Sequence, residues 1–157
     1  MDAKTARICY EDFNTGEVQT FGPRLITREE IIEYATEFDP QPFHLDDEAA
    51  NKSLLKGLSA SGWHSCAIMM RMIYDGFIHE SSSLGGPGID EMRWIKPVRP
   101  DDQLTCRMTV LDKRDSNSRP QMGFVRFNLE MLNQNSEIVL QASWPAMFGK
   151  RNPGAPS

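Results

Sequence analysis

The sequence has little from which to build a metal centre or a disulfide scaffold. Its 157 residues include three cysteines, Cys9, Cys66 and Cys106, odd in number and far apart. They form no CxxC pair and have no histidine at zinc-ligand spacing, so reduced core residues are expected and no metal site. Histidine is equally scarce, at His44, His64 and His79. No apolar run is long enough to span a membrane, and the opening MDAKTARICYEDF holds no stretch of signal-peptide length. A cytoplasmic location is therefore expected. Positive charge is in deficit, with 17 Lys and Arg against 22 Asp and Glu and a net charge of -5. Nucleic acid is a poor partner for such a surface, because phosphate binding needs clustered basic groups.

What is present fits one globular domain. Hydrophobic residues at 39% and charged residues at 25% argue against general disorder, and the length suffices to bury a core. The expected organisation is one domain over residues 1–150 and a flexible tail, RNPGAPS, over 151–157. The segment from Ile8 to Phe21, with its Asn14-Thr15-Gly16 turn signal, is expected to be extended at a sheet margin. Thr27-Arg28-Glu29-Glu30 matches a capping box, and Ile31, Ile32, Ala35 and Phe38 follow on one helical face. Pro40 ends that helix near Asp39. Asp46-Asp47-Glu48 opens a second, short helix.

The stretch SGWHSCAIMMRMIYDG, from Ser61 to Gly76, has almost no polar face. A helix that is apolar nearly all round is expected to be buried nearly all round. Ser61 suits its N-cap and Gly76 its stop. Met92–Lys96 is a short strand candidate. Leu104–Val110, Val125–Met131 and Ile138–Ala142 then alternate with period two, separated by a polar loop at Asp112–Pro120 and a turn at Asn133–Ser136. The expected class is α+β, an antiparallel sheet curved around the apolar helix, with open edges that favour pairing with a second copy.

Chemistry concentrates in YATEFDPQPFHLDDEAA. Asp39 and His44 stand five residues apart in a segment stiffened by Pro40 and Pro42, and rigidity is what a proton-transfer pair requires. Asp39 sits where a helix ends, so the dipole is expected to raise its pKa. Spacing alone is weak evidence and favours a turn-forming Asp before proline and a half-buried, packed His.

That segment resembles the hydratase signature of MaoC-like dehydratases and R-specific enoyl-thioester hydratases: Asp, a polar amide, Pro, an apolar residue, His. The resemblance extends to YEDFNTGEVQTF, ASGWHSCAIMMRM and PGIDEMRWIKPVRPDDQL, from about Tyr10 to about Phe148. It implies a hot-dog fold and a hydro-lyase acting on the α,β-bond of an acyl-CoA or acyl-carrier-protein thioester. No cofactor beyond the carrier group of the substrate is implied, and a homodimer or assembly of dimers is expected. Asp39 and His44 take the places of the pair that activates water. Gly62, opening the apolar helix, takes that of the N–H donor to the thioester oxygen.

Expected substrate contacts are Gln41, Ser61, Trp63, Arg93, Lys96 and Arg99, the last three as a basic cluster for phosphates; Lys113, Arg114 and Arg119 form a second cluster. Gln41 stands where the family often has Asn, and Ser61 where many members have His. Met70 falls near the place of a helical serine that orients the Asp in some relatives. For His64, packing or a hydrogen bond near a subunit interface is favoured over lining the pocket. Two alternatives remain: a hot-dog thioesterase, for which the apolar helix offers only Asp75, and a non-catalytic acyl-thioester-binding subunit.

Overall fold

The computed structural model describes residues 5–153. Besides three short 3₁₀ turns, five strands and three α-helices follow in chain order: β1 (Val18–Leu25), α1 (Arg28–Phe38), α2 (Asp47–Lys52), α3 (Gly62–Gly76), β2 (Glu91–Trp94), β3 (Gln103–Asp115), β4 (Met122–Leu132) and β5 (Ile138–Gly149). The strands form one antiparallel sheet in the order β1-β3-β4-β5-β2, so β1 and β2 are its margins. This is the hot-dog arrangement, a sheet packed on the apolar helix.

Alternation places the core as expected. Leu104, Cys106, Met108 and Val110 of β3 and Val125, Phe127, Leu129 and Met131 of β4 are all buried. Each such side chain contributes roughly 1.5–3 kcal/mol on burial. They meet Ile68, Met69, Met72 and Ile73 of α3 in one cluster. Phe13, Phe77 and Phe148 extend it, with the Phe13 and Phe148 rings 4.5 Å apart.

Helix starts follow their capping residues. Thr27 Oγ1 accepts from the Glu30 N–H at 3.2 Å, and Asp46 caps α2 by accepting from Ala49 N–H at 2.8 Å. The Glu30 carboxylate does not close a box; it faces Arg24 at 3.3 Å and His64 at 3.8 Å.

Three expectations need correction. Helix α3 is not buried all round, because the sheet covers one of its faces and leaves Trp63, Met70 and Tyr74 at 60%, 45% and 46% exposure. Asp112–Asp115 is strand, not loop, pairing with Gly123–Arg126 after a register shift beyond Val110. Its cations rest on rings, Lys113 over Tyr10 and Arg114 over Phe124, rather than forming a cluster with Arg119. Arg151, where the tail was expected to begin, bonds Asp12 at 2.7 Å and the Arg7 carbonyl at 3.2 Å through its guanidinium. Residues 154–157 lie outside the described residues. Among those described, no helix is long and apolar enough to cross a membrane.

Candidate active site

Three chain breaks converge at the catalytic candidates. Asp39 is the C-cap of α1, its N–H still bonded to the Ala35 carbonyl at 3.0 Å. Pro40 prevents the helix from continuing. The chain then makes a 3₁₀ turn over Pro42–His44, which swings His44 back beneath Asp39. Ser61, the N-cap of α3, arrives from the other side.

His44 is buried, and its Nδ1 lies 2.7 Å from the Ser59 carbonyl. A carbonyl only accepts, so Nδ1 carries the proton and Nε2 of the neutral ring keeps its lone pair. Nε2 faces Asp39 Oδ2 at 3.6 Å. That is too long for a hydrogen bond, and a water about 2.8 Å from each atom would bond both.

Asp39 is held by two side chains. Ser61 Oγ donates to Oδ2 at 2.6 Å and Gln41 Nε2 donates to Oδ1 at 2.8 Å. The Ser61 bond foremost, and then the Gln41 bond, keep the carboxyl below the usual aspartate range against a rise from desolvation; a protonated His44 would add to that lowering. The expectation that the helix end would raise this pKa is overturned, because two donors outweigh a dipole whose effect is under about 1 kcal/mol. Asp39 is a carboxylate at rest.

His44, Gly62 and Trp94 line a cleft of about 460 Å³. Gly62 is the first residue of α3, where an N–H has no intrahelical partner and meets the positive end of the dipole. A Cβ there would lie 2.5 Å from Trp94 Nε1, so glycine is required for the indole to pack. A second hollow of about 340 Å³ lies further along α3, lined by Cys66, Met69, Met70, Ile73, Met92 and Trp144. It is apolar, and none of its lining residues belongs to the first.

Other expected contacts divide. Ser61 and Gln41 hold Asp39 itself. Trp63 stacks edge-on against Trp94, ring centres 5.3 Å apart, on the exposed side of α3. Arg93 pairs with Glu91 at 2.6 Å, and Lys96 reaches the cleft while pairing with Glu137 at 2.5 Å. Arg99 binds the carbonyls of Leu55, Gly57 and Leu58. The three therefore do not form a free basic cluster; Arg99 instead braces the loop that carries Ser59. Met70 is remote from Asp39 orientation, which falls to Ser61. Asp75 pairs with Arg71 at 2.8 Å on an exposed surface, away from the cleft. Among the described residues no group of three or more His, Cys, Asp or Glu is placed to hold a metal ion.

His64 is buried, stacked on Tyr34 with ring centres 4.5 Å apart and planes 8° from parallel. Burial, and then the Arg24 charge, lower its pKa to about 4. It is a packed neutral ring outside the cleft lining, as favoured above.

Comparison with known proteins agrees with this geometry. The family model for the MaoC like domain matches residues 12–127. A Bacillus subtilis relative described as uncharacterised protein YdeM is 31% identical over 131 residues, covering 83% of this chain and 92% of its own. Mesaconyl-CoA hydratase of Cereibacter sphaeroides is 39% identical over 70 residues, 45% of this chain but 20% of that protein. The crystal structure of a MaoC-like dehydratase from Rhodospirillum rubrum superposes with a TM-score of 0.86 at 37% identity, over 92% of this chain and 99% of the other. With its family model spanning the Asp39–His44 segment and all of α3, the chain belongs to the MaoC-like dehydratase family.

Proposed function

We propose that the protein adds water to, or removes it from, the α,β-bond of an acyl-CoA or acyl-carrier-protein thioester. One observation carries the reading: the Ser59 carbonyl fixes the His44 tautomer so that a basic Nε2 stands 3.6 Å from the Asp39 carboxylate, close enough for one water beside them to bond both. In hydration the pair holds one water and accepts a proton from it. The water oxygen bonds the β-carbon, and the π-electrons move to the thioester oxygen, where the Gly62 N–H stabilises the charge. The pair returns a proton to the α-carbon, and the product gains H and OH in total. Dehydration is the reverse. No metal or redox group is required, and the carrier belongs to the substrate.

The stretch shared with mesaconyl-CoA hydratase supports a CoA-type thioester. The apolar hollow further along α3 suits an uncharged acyl tail. A second copy is proposed to cover the free edge of β2 and the exposed Trp63, Met70 and Tyr74 of α3. Met70→Glu should then shift the sedimentation coefficient to that of a monomer; an unchanged coefficient would place the contact elsewhere.

Loss of conjugated-thioester absorbance with crotonyl-CoA, and with branched and dicarboxylic enoyl-CoAs, tests the reaction. Turnover that collapses in Asp39→Asn and His44→Ala, both folded, is expected. Release of free thiol instead of hydration would point to a thioesterase, and binding without turnover to a non-catalytic subunit.

A further inference from the structure

We propose that Trp94 is a second donor to the thioester oxygen, its indole Nε1–H converging with the Gly62 N–H on the atom that gains charge. The proposal rests on the hydratase reading above and adds to it a catalytic side chain supplied by β2. Trp94 is the last residue of β2 and lines the same cleft as His44 and Gly62. The indole lies against the open face of Gly62: an ideal Cβ there would be 2.5 Å from Nε1, 2.8 Å from Cε2 and 2.9 Å from Cδ1. Such a Cβ lies about 2.5 Å from its own backbone nitrogen. The Gly62 and Trp94 nitrogens are therefore no more than about 5 Å apart, a spacing at which one oxygen can sit about 2.9 Å from both.

The ring is braced for that task. Trp63 stacks edge-on against it, and the strand holds its backbone against β5 through the Trp94–Leu140 pairing. The Cys66 thiol is the polar neighbour nearest in kind to a partner for the indole N–H. Sulfur is a weak acceptor, and the Cys66 S–H is itself directed to Met92 Sδ at 3.6 Å. An enolate oxygen outcompetes such a partner, and an indole can only donate. The stacked rings thus hold a donor with no strong acceptor of its own beside the end of a helix whose dipole favours negative charge.

Trp94→Phe keeps a ring and removes the N–H; benzothienylalanine at position 94 keeps the indole shape and removes only the N–H. With wild-type protein turning over an enoyl-CoA of the panel, both replacements are expected to lower kcat roughly 100-fold and to change KM by less than about threefold. Carbonyl stretching frequencies of enoyl-CoA bound to the inactive His44→Ala protein give a second readout. The downward shift on binding should shrink when Trp94→Phe is added. Wild-type turnover with kcat unchanged in the benzothienyl protein would overturn the second donor alone, leaving the indole N–H to Cys66. A loss of rate by Trp94→Phe but not by the benzothienyl protein would likewise reduce Trp94 to packing. Absence of wild-type turnover on every substrate would remove the hydratase reading itself, and the donor with it.

Discussion

Ser61 Oγ donates to Asp39 Oδ2 at 2.6 Å, and this bond joins the N-cap of α3 to the C-cap of α1. The same oxygen accepts from the Trp63 N–H at 3.3 Å. One hydroxyl therefore closes a helix, orients a carboxylate and holds that carboxylate ionised.

Removing that hydroxyl should change the pH dependence. In Ser61→Ala the Asp39 pKa rises towards its ordinary value, because the lost bond favoured the charged form. The acid limb of kcat/KM moves to higher pH, kcat falls about tenfold or more, and helix capping loses about 1 kcal/mol. Ser61→Thr, which keeps the hydroxyl, should restore the limb. A pH–rate profile of the three proteins checks this.

Arg99 links stability to the site. Its guanidinium binds three carbonyls of the loop that precedes Ser59, and Ser59 holds His44. Arg99→Met should destabilise by about 2–3 kcal/mol in urea unfolding and lower kcat as well. Arg99→Lys should recover little of either, because one ammonium cannot span the same fork.

Adding a methyl group at the helix start should be tolerated by the fold and not by the site. In Gly62→Ala the new Cβ meets the Trp94 indole and pushes it from its place against Trp63, a shift confined to two half-exposed rings. Tryptophan fluorescence should shift, the melting temperature should hold within a few degrees, and kcat should drop at least tenfold.

Acid stability should depend on His64. Its folded pKa, about 4, is below the ordinary value of 6.5, so between these pH values the unfolded chain binds a proton that the folded chain does not. Stability is therefore lost as pH falls from 6.5 towards 4, at roughly 1.4 kcal/mol per pH unit. His64→Phe keeps a ring on Tyr34 and should flatten that part of the stability–pH curve, measured by denaturant titration at each pH.

Periodic features were legible in the sequence because each depends on near neighbours in the chain. The alternating face of β3, the Thr27 cap and the Pro40 stop all follow from residues a few positions apart. The strand at Asp112–Asp115 was missed because its cations are satisfied by rings far away in sequence, Tyr10 for Lys113. In the site, Asp39 and His44 stood out by motif, whereas the Ser59 carbonyl carries no side-chain signal at all. Ser61 was visible as a cap but not as the partner of a residue 22 positions earlier. Arg99 looked like a phosphate ligand because its carbonyl partners lie more than 40 residues away.

The ties of Arg151 to Asp12 and to the Arg7 carbonyl bring the two ends of the described chain side by side. Neither end lines the cleft that holds His44 and Gly62. The order in which the chain is threaded is thus separable from the architecture. A circular permutant that joins those ends and opens at the exposed Asn117–Ser118 turn would keep every contact around Asp39 and His44 while reversing which half emerges first during synthesis.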